Sequence, residues 1–201
     1  MKKLLILFVF LATASVQSYA QLPEKAEDIS PLLIGEMIPD AILKSPDAND
    51  HSILGIIGEK PTILLFYRGG WCPFCNAQLA EVQTIENKII ELGYQIVAIS
   101  PDSPENLSLT DEKNKLTYSL YADSDGTLTK AIGIAFKSPE KYGVMLSEKS
   151  GGLNEGFLPV PSVFVVDTSG KILFEYINPD YKTRISSSLL LAVLKNLKET
   201  K

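Results

Sequence analysis

Residues 63–67 (ILLFY) form an unbroken apolar run between Lys60-Pro61 and Arg68-Gly69-Gly70. A short run closed by breakers at both ends predicts a strand buried on both faces. The period then changes. Leu79, Val82, Ile85 and Ile89 recur at three- and four-residue steps, with Ile90 beside the last. Residues 73–92 are therefore predicted as a helix that stops at Gly93. A second apolar run, YQIVAIS at 94–100, follows at once. Strand, helix and strand in so short a span make a βαβ unit, whose strands run parallel with a right-handed crossover.

Beyond it, Ser103-Pro104 reads as the cap and first turn of another helix. Residues 118–122 predict a short strand and 125–132 a brief helix. SVFVV (162–166) and KILFEYI (171–177) flank Asp167-Thr168-Ser169-Gly170, which predicts an antiparallel hairpin. Leu189, Leu190, Val193, Leu194 and Leu197 form the stripe of a docked C-terminal helix. The fold class that follows is α/β, a mixed central sheet with helices on both faces. Residues 137–160, rich in Gly, Lys and Glu, match no element and read as an insertion near a site. Residues 21–31 (QLPEKAEDISP) read as an unpacked N-terminal leader. No repeat or low-complexity tract interrupts the chain.

The first twenty residues follow another logic. Lys2 and Lys3 precede an apolar run at 4–11, and Ser18-Tyr19-Ala20 places small residues where a signal peptidase reads. Residues 1–20 are expected to be a secretory signal peptide cleaved after Ala20. The apolar stretch is too short to span a bilayer, and no Cys follows it to take a lipid. Residues 32–201 are then one domain, a size that supports a single core. The formal net charge is −5, and loss of Lys2 and Lys3 makes it two units more negative. An acidic chain without a basic cluster is not built for nucleic acid or anionic lipid. No later segment predicts stable membrane insertion. Export, to a periplasm or the outside, puts the cysteines where thiols pair unless something reduces them.

There are two cysteines, Cys72 and Cys75, in Gly69-Gly70-Trp71-Cys72-Pro73-Phe74-Cys75. The motif lies at the junction of the first strand and its helix. Pro73 suits the first helical position, where its missing N–H leaves nothing unpaired. Cys72 then faces free N–H groups and the positive end of the helix dipole, both of which favour thiolate. Cys75, three residues on, shares that face. The pair reads as a nucleophile, Cys72, and a resolving thiol, Cys75. A zinc site needs about four ligands, and His51 is the only histidine; no metal or other cofactor is expected. A stabilising clip across so small a loop removes little chain entropy. His51 reads as a surface residue, Asp47 and Asp50 as a turn, Asp123-Ser124-Asp125-Gly126 as a turn rather than a calcium loop, and Gly151-Gly152 as no phosphate site.

These residues carry a resemblance. The strand ILLFY, YRGGWCPFC, IVAISPDSPEN, VPSVFVVDTSGKILFEY and Asn178-Pro179-Asp180-Tyr181, with Gly35-Glu36-Met37-Ile38-Pro39-Asp40 before them, resemble the AhpC/TSA (peroxiredoxin-like) family of the thioredoxin superfamily. The likeness runs over about residues 32–197. It implies a thioredoxin-like fold, and a proline in cis facing the cysteines, for which Pro161 is the matching position and Pro159 a weaker one. Members usually carry a threonine three residues before the peroxidatic cysteine; here that position is Gly69. They also use an arginine to stabilise the thiolate, and this chain offers Arg68 and, far along the sequence, Arg184. Trp71 is expected to shield the pair. Phe74, which cannot donate a hydrogen bond, implies a less oxidising couple than a histidine there would.

The resemblance implies a hydroperoxide reductase recycled by a thioredoxin-like donor. The same residues could instead reduce protein disulfides, and a third reading, of another class, is a binding domain with a structural disulfide.

Overall fold

The computed structural model describes residues 21–200; the expected signal peptide lies outside the described residues. In chain order the elements are β1 (Ile42–Lys44), β2 (Asp50–Ser52), α1 (Ile53–Glu59), β3 (Thr62–Phe66), α2 (Pro73–Glu91), β4 (Gln95–Ser100), α3 (Pro104–Asn114) and β5 (Ser119–Ala122). They continue with α4 (Thr127–Ala131), β6 (Ala135–Lys137), α5 (Gly143–Lys149), β7 (Phe157–Pro159), β8 (Ser162–Val166), β9 (Ile172–Ile177) and α6 (Ser187–Glu199).

Seven strands form one sheet in the order β2-β1-β5-β4-β3-β8-β9. The predicted βαβ unit is at its centre: β3 and β4 run parallel, Leu64 facing Val97, and β5 extends the parallel set. The predicted hairpin is also present, with β8 antiparallel to both β3 and β9. Every residue of β3 and β8 is buried, which is why their sequences show no alternation.

The sheet has a core on each face. Ile63, Leu65 and Tyr67 point into one, with Leu79 and Val82 of α2, Leu107 of α3, and Leu190 and Leu194 of α6. Leu64 and Phe66 point into the other, with Ile53 and Ile57 of α1 and Leu128 of α4. Each such buried side chain contributes about 1.5–3 kcal/mol relative to an exposed one. Together they fix α2 against the sheet, and so fix the cysteines at its start.

Four expectations need correction. Residues 21–31 are not unpacked: the Lys137 N–H donates to the Pro23 carbonyl, a 3₁₀ turn spans Ala26–Asp28, and Ile29 packs against the core. Residues 137–160 are ordered as a 3₁₀ turn at Glu140–Tyr142, α5 and β7, which pairs antiparallel with β6. These pieces are too short to register as periodicity. His51 is not in a loop but half-buried in β2, its ring against Tyr121 at 5.4 Å; Asp50 opens the same strand. Pro161 is not cis, since the described residues contain no cis peptide bond. Pro161 sits between β7 and β8, just before the first residue of β8, where a missing N–H removes no ladder bond. The trans form, favoured by about 0.5–1 kcal/mol, meets no opposition there.

Candidate active site

Gly69 and Gly70 let the chain turn sharply from β3 into α2. Gly69 has φ +137°, and a Cβ there would lie 2.4 Å from Trp71 Nε1. A Cβ on Gly70 would lie 1.9 Å from Thr110 Oγ1. The position where the family resemblance implies a threonine therefore has no room for one. The Gly70 N–H donates to Asp102 Oδ2 at 2.7 Å, which ties the turn to the end of β4.

Asn76, one helical turn past Cys72, holds the turn from the other side. Its Nδ2 donates to the Gly70 carbonyl at 2.8 Å and the Cys72 carbonyl at 3.1 Å. Its Oδ1 accepts from Asn114 Nδ2 at 2.9 Å. An asparagine in the first turn of a helix is unremarked in a sequence, but its place four residues after Cys72 is the signal that could have found it.

Cys72 is the N-cap of α2 in extended conformation, with Pro73 at the first helical position. Its carbonyl accepts the N–H groups of Cys75 and Asn76, each at 3.1 Å. Both cysteines are thiols in this structure. A hydrogen bond from the Cys75 thiol is the largest influence on Cys72 and helps lower its pKa from 9.0 to about 6. Burial opposes that shift, while the Cys75 N–H and the charges of Arg68 and Arg184 add to it. Burial, and then the proton it shares with Cys72, push Cys75 well above the usual thiol range. Two interacting thiols are thus pushed apart, one toward thiolate and one toward thiol.

The two arginines meet at this pair. Arg184 Nη2 donates to Cys75 Sγ at 3.5 Å. It is delivered by the turn after β9, where the Asp180 carboxylate accepts from the Lys182 N–H and the Thr183 hydroxyl. Arg68 is 5% exposed and lies among three rings, 5.0 Å from the Trp71 centroid, 5.4 Å from Tyr142 and 4.3 Å from Tyr181. Neither arginine pairs with a carboxylate among the described residues. A buried cation without a carboxylate stabilises any anion that forms beside it, and the anion available is the Cys72 thiolate.

The structure thus gathers Arg68, Trp71, Cys72, Pro73, Cys75 and Arg184 at one end of α2. Pro161 joins them only indirectly, as one wall of a 330 Å³ pocket that Arg68, Phe136, Pro139, Tyr142 and Tyr181 also line. Phe74 packs edge-on against Tyr181 at 5.6 Å. Tyr142, from the segment left unassigned in the sequence, was missed, as was Asn76. The carboxylates of Asp123 and Asp125 serve local structure, with Asp123 accepting from the Leu128 and Thr129 N–H groups at the start of α4. No group of three metal-ligating side chains occurs among the described residues, nor any helix long and apolar enough to cross a membrane.

Residues 34–174 match the AhpC/TSA family. The chain is 27% identical to peroxiredoxin Bcp of Escherichia coli K12 over 169 residues, 83% of this chain and 98% of that one. It is 25% identical to peroxiredoxin Bcp of Bacillus subtilis 168 over 166 residues, 83% and 97% of the two chains. Among solved structures it is similar to reduced Prx3 from Vibrio vulnificus, with a TM-score of 0.70 at 18% identity over 82% of this chain and 99% of that one. That likeness is one of fold, a thioredoxin-like mixed sheet with helices.

Proposed function

The chain belongs to the AhpC/TSA family, and from that premise we propose that it is a thiol-dependent peroxidase working through Cys72 and Cys75. One observation carries the reading: the Cys72 sulfur is held at a helix start with its pKa lowered to about 6, beside a protonated partner and two unpaired arginines.

The Cys72 thiolate attacks the distal oxygen of a hydroperoxide. The O–O bond breaks, Cys72 becomes a sulfenic acid, and the alkoxide or hydroxide leaves and takes a proton from water. Cys75 then attacks the Cys72 sulfur; the S–O bond breaks, the disulfide forms, and the oxygen departs as water with the Cys75 proton. Arg184, on the Cys75 sulfur, stabilises the negative charge that this thiol must acquire to attack. A dithiol donor of thioredoxin-like type reduces the pair by exchange through a mixed disulfide.

The rival substrate, a protein disulfide, needs an accessible sulfur. Cys72 is 1% exposed in this reduced form, which favours the smaller oxidant in the oxidising half of the cycle; the donor meets the pair only after it has become a disulfide. The first twenty residues support action after export, with residues 1–20 removed as a signal peptide; fractionation of tagged full-length protein tests that separately.

Stopped-flow mixing of the reduced protein with hydrogen peroxide tests the peroxidase reading. Trp71, the single tryptophan, reports from beside Cys72. Oxidation faster than a free thiol of the same pKa by orders of magnitude is expected; a rate equal to that thiol's defeats the reading.

A further inference from the structure

We propose that the 330 Å³ pocket beside Arg68 is a binding site for a small organic monoanion, a carboxylate with an apolar body, and that its occupant shares the Arg68 charge with Cys72. Neither cysteine lines this pocket, so it is separate from the thiols, and the inference stands without the peroxidase reading.

The pocket is built from parts far apart in the chain. The 3₁₀ turn at Ala26–Asp28 supplies one side. Phe136, Pro139, Pro161 and Pro179 supply most of the rest, with the rings of Tyr142 and Tyr181. Proline has no N–H, so these walls offer few donors to hold water and suit a body of carbon. A mostly apolar cavity of this size is of the small-molecule class. Its N-terminal side is fastened without any ligand. The Lys137 N–H donates to the Pro23 carbonyl at 2.8 Å, Lys137 Nζ pairs with Glu24 at 3.1 Å, and β6, which carries Lys137, pairs with β7. The pocket is therefore formed in advance.

Its polar end is Arg68, whose guanidinium lies against the Tyr142 and Tyr181 rings of the same lining. A buried cation is ordinarily paired with an acid. Arg68 pairs with none among the described residues, and its buried Nε has no hydrogen-bond partner. Ring faces attract the cation but do not satisfy its planar fork of N–H donors, which a carboxylate matches in shape and charge. The other charged residues of the lining, Lys25, Glu27 and Lys141, are exposed. One buried cation calls for one negative charge. Arg68 also acts on Cys72, whose thiolate its charge favours. An anion held by Arg68 weakens that pull, and the thiolate in turn weakens the hold on the anion. The other charged or titratable groups acting on Cys72 are Cys75 and Arg184, and neither lines the pocket.

The test titrates the reduced protein by calorimetry at neutral pH with phenylacetate, hexanoate and the neutral phenylacetamide. At least one acid should bind with a Kd of about 1 mM or tighter, and the tighter of the two tells whether the body is aromatic or aliphatic. Phenylacetamide, alike in shape but uncharged, should bind at least about tenfold more weakly than phenylacetate. No binding of either acid overturns the proposal, as does equal binding of acid and amide. Arg68→Met should weaken the acid at least about tenfold, and Lys141→Met by no more than about fivefold, as for an exposed charge. The opposite order puts the anion on exposed lysines and overturns the site. The comparison of acid with amide in wild type decides the matter even if Arg68→Met does not fold. Saturating acid should also shift the pH midpoint of Cys72 alkylation by iodoacetamide upward, and the amide should not. A midpoint unmoved by the bound acid overturns the sharing of Arg68. None of these measurements uses peroxide, so their failure leaves the peroxidase reading intact.

Discussion

At the residue scale, the causes acting on Cys72 are ordered, and the order can be checked. The hydrogen bond from the Cys75 thiol comes first, ahead of the two arginine charges. Alkylation of residue 72 in the reduced protein, followed by mass spectrometry, should rise with pH through a midpoint of about 6. Cys75→Ala removes the donor and should move that midpoint upward, toward the ordinary thiol value of 9.0. Cys75→Ser keeps an O–H donor and should stay near wild type, and Arg68→Met should move it less than Cys75→Ala. A Cys75→Ala midpoint equal to wild type would show that the helix start and the cations suffice. The cysteines and their roles could be proposed from spacing alone, because Cys72, Pro73 and Cys75 are neighbours in one helical turn. Arg184 could not, since it reaches Cys75 from 109 residues away through a turn that leaves no periodic signal. Tyr142 shares that difficulty: nothing local distinguishes a tyrosine that stacks on Trp71 from one that faces water.

At the scale of elements, the long ones were legible, and so were the short β5 and α4, but the three-residue strands were not. The central strands, α2 and α6 announce themselves because burial on one or both faces imposes a pattern over many residues. β1, β2, β6 and β7 have three residues each, less than two periods of a strand, so no alternation can establish itself. The join between α2 and α3 is another feature that only the fold reveals. Asn76 links the two helices to the motif through the Gly70 and Cys72 carbonyls and Asn114 Nδ2. Asn76→Ala breaks these three bonds at a half-buried position, and should lower stability by about 1–3 kcal/mol. A urea melt that moves its midpoint without changing its slope is the expected sign. A change below about 0.5 kcal/mol, the range of ordinary surface substitutions, would mean that the turn is held by Asp102 and the glycines alone.

For the whole molecule, the site's electrostatics shape stability against pH, and the two sides of neutrality have different sources. Asp102 is buried beneath the active-site turn, and burial raises its pKa from 3.8 to about 6 against the opposing hydrogen bonds from Gly70 and Ser100. The folded state then holds this proton more tightly than the unfolded chain does. Stability must fall as pH rises from about 4 to about 6 and level off above. At about 1.4 kcal/mol per unit, Asp102 accounts for at most about 3 kcal/mol, and Asp123 and Glu175, both raised by burial, act in the same sense. Cys72 has the opposite sign. Its folded pKa is depressed, so the reduced protein gains stability as pH rises from about 6 to about 9, and loses that gain as pH falls back through about 6. Cys75, raised by burial and by its partner, works against this only above the ordinary thiol range. The reduced protein should therefore show a stability minimum near pH 6 in chemical melts run at a series of pH values. Oxidation to the disulfide removes the thiolate, so the alkaline arm should vanish and the acidic arm remain. Asp102→Asn should do the reverse, flattening the acidic arm while the alkaline arm persists. Were the alkaline rise to survive in the disulfide form, its origin would lie outside Cys72, and the thiolate on which the peroxidase reading depends would lose its thermodynamic signature.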